Sequence, residues 1–168
     1  MNFGPSADDR ETPLKAIQDI SPILNALALY KECSLEDLRV YDPYYCNGNI
    51  KTRLQSLGLN IDHIQNEPID CYQAQKKNLV SPFDILVSNP PYSGDHIRRC
   101  LQYSVKSRQP WLLLLPSNVL HRSWFSEVIR NYIVMYVAPF EKYVFEVNNT
   151  SESHIPMVTI WFIGIPNN

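Results

Sequence analysis

The chain reads as an α/β protein: a doubly wound, mostly parallel sheet with an antiparallel hairpin at one edge. Three observations predict this. Short apolar runs bounded by turn residues alternate with helical patterns for most of the chain. Two of those runs, 83–88 and 111–115, are apolar on both faces, as strands buried in a parallel sheet are. Beyond residue 131 the strand-like runs 132–137, 143–147 and 157–163 follow one another, which favours local antiparallel pairing. With 168 residues the chain suits one domain over residues 12–168, preceded by a flexible tail at 1–11.

Taken in order, Thr12 is placed to cap a first helix and Pro13 suits its first position. Leu14, Ile17, Leu24, Leu27 and Ala28 recur at roughly helical spacing, and Pro22 should kink or split that segment. A strand at 38–41 runs into the loop 42–48. A helix follows over 49–57, with Gly58 as its stop. The pattern then predicts a strand at 59–65, a helix at 70–77, a strand at 83–88 and a helix at 94–107. After the strand at 111–115, a helix over 122–131 precedes the terminal strands, and the polar stretch 148–154 reads as a disordered loop. The count is seven strands.

Composition narrows the function classes. A net charge of -2 gives no global electrostatic case for nucleic acid and leaves local basic patches open. Cys33, Cys46, Cys71 and Cys100 lack metal-ligand spacing, so reduced thiols and no metal are expected. The polar start has no signal-peptide pattern, and the longest apolar run, 111–115, is too short to span a bilayer. An intracellular protein, cytoplasmic or nuclear, with no membrane partner is the expectation.

Two loops carry the chemistry. In doubly wound sheets, ligands bind beyond the carboxyl ends of the strands where strand order reverses. Loops 42–48 and 88–93 follow the first and third strands. In the second, Asn89-Pro90-Pro91-Tyr92 closes a buried strand. An aryl amine is a poor nucleophile because its lone pair is delocalised. The Asn89 side-chain oxygen and the Pro90 carbonyl can each accept one N–H bond and localise that lone pair. Pro91 fixes the turn, and Tyr92 offers a face for stacking a planar base.

Asn89-Pro90-Pro91-Tyr92 resembles the acceptor motif of N6-adenine and N4-cytosine methyltransferases, and also that of the release-factor glutamine methyltransferases. Asp42-Pro43-Tyr44-Tyr45-Cys46-Asn47-Gly48 resembles the D-P-x-x-G-x-G loop of amino methyltransferases that use S-adenosylmethionine. The strings 41–48 and 88–96 are similar to a small group of adenine-methyltransferase-like proteins of eukaryotic microbes. The resemblance implies a Rossmann-like, seven-stranded methyltransferase sheet with S-adenosyl-L-methionine as cofactor. Asp42, Tyr44, Cys46 and Gly48 would form the cofactor loop, with Cys46 standing where the first glycine would be. Thr12 and Pro13 match the motif preceding that loop, Glu67 would accept the ribose hydroxyls, and Asp70 with Cys71 would meet the adenine. Asn89, Pro90, Pro91 and Tyr92 would be catalytic, acting on adenine N6 in DNA or RNA.

Arg98, Arg99, Asn118 and Lys142 are the candidate substrate contacts. Lys76-Lys77, Lys106 with Arg108, and His121-Arg122 with Trp124 are further candidates for phosphate. The chain leaves no room for a separate target-recognition domain, so a partner subunit would supply specificity, or the substrate would be small, structured or single-stranded. Two other readings stay open: protein glutamine N5-methylation, and a non-catalytic methyltransferase-fold subunit, for which the loss of glycine at Cys46 is the motive.

Overall fold

The structure is a computed structural model and describes residues 10–147, 151–153 and 158–167, with backbone only at 146, 147 and 151–153. The first helical segment splits as Pro22 requires. Helix α1 (Leu14–Asp19) ends at Ile20, and α2 (Ser21–Tyr30) starts directly after it with Pro22 in its first turn, where a missing N–H costs little. Thr12 does not cap α1. Pro13 is the N-cap residue, no side chain caps the helix, and Thr12 is buried. Its carbonyl accepts a hydrogen bond from the Arg53 guanidinium.

The remaining elements are β1 (Val40–Tyr41), α3 (Asn49–Gln55), β2 (Ile64–Gln65), α4 (Cys71–Lys76), β3 (Ile85–Ser88), α5 (His96–Ser107), β4 (Trp111–Pro116), α6 (Phe125–Val128), β5 (Tyr132–Val137), β6 (Phe145–Val147), β7 (Ser151–Ser153) and β8 (Thr159–Pro166). The strands run β2-β1-β3-β4-β8-β5 across the main sheet. The first four are parallel, and β8 lies antiparallel between β4 and β5.

This sheet has six strands among the described residues, not seven. The run 143–147 is apolar for another reason. Tyr143 and Phe145 are buried against the α1–α3 side of the core, and the Tyr143 hydroxyl donates to Asp19 Oδ2 at 2.8 Å. Strand β6 pairs with β7 in a separate two-stranded sheet. Part of the expected loop 148–154 is therefore strand, and its residues 148–150 and 154 lie outside the described residues. The helix expected at 122–131 shortens to α6, with a 3-10 turn, Ser117–His121, ahead of it.

Period-two alternation explains why the central strands are apolar throughout. Leu112 and Leu114 of β4 join Trp161 and Ile163 of β8 under α1–α3, whereas Trp111, Leu113, Leu115 and Phe162 pack under α5 and α6. Gly164 sits opposite Trp111 across the β4–β8 pair, where a Cβ would lie 2.1 Å from the indole ring. Among the described residues no helix is long and apolar enough to cross a membrane.

Candidate active site

The site follows from strand order. β1 and β3 are parallel neighbours, with Tyr41 opposite Leu86, so loops 42–48 and 88–93 leave the sheet side by side. From β1 the chain builds outward to β2, and from β3 it builds the other way to β4, which makes this the reversal point. The two loops are tied together: Ser88 Oγ donates to Asp42 Oδ1 at 2.6 Å, in the interior.

Asp42 is 4% exposed. Burial pushes its carboxyl up to about 7, and the neighbouring Glu11 charge pushes the same way. The Ser88 hydroxyl and the Tyr44 N–H, which donates at 3.1 Å, pull it back. Asn66 braces the loop from the end of β2. Its Nδ2 donates to the carbonyls of Asp42 at 3.2 Å and Tyr44 at 3.1 Å, while its buried Oδ1 has no partner among the described residues.

Cys46 has φ +48° and Gly48 φ +79°. The cysteine thus adopts the left-handed backbone a glycine would take, at a cost of about 1 kcal/mol. At Gly48 a Cβ would come within 3.0 Å of the Tyr45 ring. Asn47 N–H, between them, donates to Glu11 Oε1 at 2.8 Å. Arg10 and Glu11 therefore do not behave as tail: Glu11 is buried and caps loop 42–48, because its carboxylate finds a donor there.

Arg10 reaches the other loop. Its carbonyl accepts from Asn89 Nδ2 at 2.9 Å. Asn89 Oδ1 accepts from the Tyr92 hydroxyl at 2.7 Å, and that hydroxyl also lies 3.1 Å from the Leu114 carbonyl. The Asn89 amide is thus held at both ends. Pro90 is buried and Pro91 half-buried. The Tyr92 ring packs against the α1–α3 core, and burial pushes its phenol up.

The other predicted residues divide. Asp42, Glu67 and Cys71 line one small cavity of about 40 Å³. Glu67 is exposed and paired with Lys51 at 2.8 Å. Burial pushes the Cys71 thiol up to about 12. Asp70 caps α4, accepting from Tyr72 and Gln73 N–H at 2.9 and 3.1 Å. Arg99 lies 3.5 Å over the Tyr72 ring, whereas Arg98 points to Trp124. Asn118 is exposed in the turn after β4. Lys142 lines a cavity of about 660 Å³ with Pro13 and Phe140, which includes no residue of either loop.

Sequence reasoning missed Glu11, Ser88 and the chain Tyr44–Tyr72–His96, whose links measure 2.9 and 2.6 Å. Ser88 left one signal, a lone polar residue ending an apolar strand. Asn66 adjoined the acid that was chosen, Glu67, and is the buried member of the pair.

No family model matches the sequence, and no curated protein matches it. Solved structures do match in shape. A putative RNA methyltransferase from Pyrococcus horikoshii superposes with a TM-score of 0.65 at 15% identity, over 98% of this chain and 91% of that one. A putative class I S-adenosylmethionine-dependent methyltransferase from Listeria monocytogenes gives 0.55 at 14%, over 98% of this chain and 63% of that one. An S-adenosylmethionine-dependent O-methyltransferase from Thermotoga maritima gives 0.51 at 11%, over 94% and 67%. At such identities the likeness concerns the fold, which this chain shares with class I methyltransferases.

Proposed function

We propose that this protein transfers a methyl group from S-adenosyl-L-methionine to an exocyclic amino group, the N6 of adenine in RNA or DNA. The observation that carries the reading is the Ser88–Asp42 hydrogen bond, which locks the amine-accepting turn to the loop suited to the cofactor. The fold alone leaves the acceptor open, since its relatives include enzymes named for RNA and for oxygen acceptors. The residue types at the end of β3 favour a nitrogen acceptor.

By chemical type, the donors around loop 42–48 suit the cofactor. Asp42, ionised, would meet its methionine ammonium, with Gly48 and Cys46 bringing backbone close. Glu67 would take the ribose hydroxyls, Asp70 and Cys71 would flank the adenine, and the partnerless Asn66 Oδ1 is a spare acceptor beside the same loop. When bound, S-adenosylmethionine supplies an electrophilic methyl. Thr12 and Pro13 would belong to the segment that closes over the cofactor, next to Glu11.

The chain's own part is to hold and activate the amine. An amide oxygen has two lone pairs. At Asn89 Oδ1 the Tyr92 hydroxyl takes one, which leaves the other for an amine N–H. The Pro90 carbonyl offers a second acceptor. Two acceptors fixed in advance would pyramidalise the nitrogen without a strong base, because the amine acidifies once methylated. Tyr92 holds the Asn89 amide in register through its hydroxyl, and its ring, packed against the core, is not the stacking face expected of it. Arg98, Arg99, Asn118 and Lys142 remain candidate contacts to the nucleic acid, and a partner subunit would set the target sequence.

Methyl-labelled cofactor offered to RNA, DNA and protein pools, followed by nucleoside mass spectrometry, tests this reading. Label should appear as N6-methyladenine. Asn89→Ala should lower the rate by about a hundredfold while preserving the thermal shift given by cofactor. Label in glutamine, or full activity in the variant, would overturn it.

A further inference from the structure

Three basic pairs stand apart in sequence: Lys76-Lys77, Arg98-Arg99, and Lys106 with Arg108. The fold brings one member of each together. Lys76 on α4 and Arg99 and Lys106 on α5 line a single cavity of about 510 Å³ between the two helices, with Tyr72 and Tyr103 in its walls. Arg99, Tyr103 and Lys106 are spaced four and three residues apart, so α5 presents them on one face. No carboxylate lines the cavity, although the whole chain is net acidic. Among the described residues neither lysine has an ion-pair partner. Arg99 rests on the Tyr72 ring, and its ion-pair partner among the described residues is Asp95, at 3.8 Å between two exposed side chains, which holds it weakly.

Cations alternating with aromatic rings match a phosphate backbone that carries bases. From Arg99 to Lys106 the helix rises about 10 Å, more than one nucleotide step, and Lys76 adds a third cation from α4. Aromatic walls beside the cations suit unpaired bases, which a single strand offers and a duplex does not. The upper end of the cavity is Tyr72, whose hydroxyl is bonded to Tyr44 of loop 42–48 and to His96. The cavity therefore opens beside the candidate active site.

We propose that the α4–α5 groove binds the backbone of a single-stranded nucleic acid flanking the nucleotide to be methylated. This rests on the proposed nucleic-acid substrate, but it is tested by binding alone.

Fluorescence anisotropy with labelled single strands of RNA and of DNA, each about 12 nucleotides long, and with the matching duplex, measures it without cofactor. Wild type should prefer a single strand to the duplex. Its log affinity should fall with log salt at a slope of about -2, from three phosphate contacts. Lys76→Glu/Lys106→Glu should weaken binding about tenfold or more and reduce the slope to about -0.7. Lys15→Glu/Arg130→Glu, which removes the same charge elsewhere, should change the affinity far less. If charge reversal unfolds the chain, Lys76→Gln/Lys106→Gln should show the same direction.

Equal losses in the two double variants, or unchanged affinity and slope in the groove variant, would overturn the proposal. So would a groove variant that keeps oligonucleotide binding yet loses the thermal shift with S-adenosylmethionine, since the groove would then belong to the cofactor. If no pool is methylated but groove-dependent binding persists, and Asn89→Ala binds like wild type, the groove stands and the methylation reading falls.

Discussion

Replacing Asp42 by Asn should stabilise the free protein, and the gain should grow with pH. An isolated aspartate has a pKa of 3.8, and burial lifts the Asp42 carboxyl to about 7. Between those values the unfolded chain has released the proton while the folded chain still holds it. Stability therefore falls as pH rises through this window, and levels off above about 7. At about 1.4 kcal/mol per pH unit, the full loss above pH 7 is about 4 kcal/mol. Between pH 5 and pH 8 the part lost is about 3 kcal/mol.

Asparagine keeps an oxygen for the Ser88 hydroxyl and the Tyr44 N–H, the two donors Asp42 uses. Its amide is never ionised. The gap in stability between Asp42→Asn and wild type should thus widen by about 3 kcal/mol from pH 5 to pH 8, or about 6–12 °C in melting temperature for a domain of this size. Thermal melts followed by circular dichroism at several pH values measure the gap. Carboxylates remote from Asp42 titrate alike in both proteins and cancel, and Glu11, whose charge opposes that of Asp42, adds to the gap in the same direction. A gap constant to within about 2 °C would refute the buried, proton-holding Asp42. With S-adenosylmethionine present the order should reverse, because a bound ammonium favours the ionised acid and only wild type can supply it.

Two further outcomes follow from the backbone. Gly164→Ala should cost about 3 kcal/mol in urea denaturation, because its Cβ would strike the buried Trp111 ring across the β4–β8 pair. Cys46→Gly should change stability by less than about 1 kcal/mol: it removes the left-handed cost but loosens the unfolded chain by a similar amount. The cofactor-induced thermal shift should not fall in that variant, and a large loss would show that the thiol itself contributes to binding.

What could be read in the sequence was whatever periodicity and turn chemistry express locally. β3 and its turn stand out because 83–88 is apolar on both faces and then meets Asn89 and two prolines. The split at Ile20 follows from Pro22 alone. The sheet count went wrong where one signal has two causes. The run 143–147 is apolar because Tyr143 and Phe145 cover α1, and periodicity cannot tell that burial from a place in the sheet. Glu11 was illegible for the opposite reason. An acid in a polar segment looks like tail, and only the distant Asn47 N–H gives it a reason to be buried.

Three different kinds of misfit meet at one loop. A buried carboxyl with a raised pKa, an amide oxygen with no partner and a non-glycine residue at φ +48° all belong to loop 42–48 or to Asn66, which braces it. The strands beneath are apolar and closely packed. Glu32, Asn78 and Arg108 are left-handed too, and buried nitrogens of Arg10 and Trp111 lack partners, but among the described residues a raised acid, a spare acceptor and a strained backbone meet at this loop, where a ligand can relieve them. The turn at Asn89 is the reverse case, since the Arg10 carbonyl and the Tyr92 hydroxyl already engage its amide. A cationic ligand at the first loop would meet unmet demand, whereas an amine at the second must share Asn89 with Tyr92 or displace it. On the proposed function, this asymmetry favours the cofactor binding first and stabilising the protein more than substrate does.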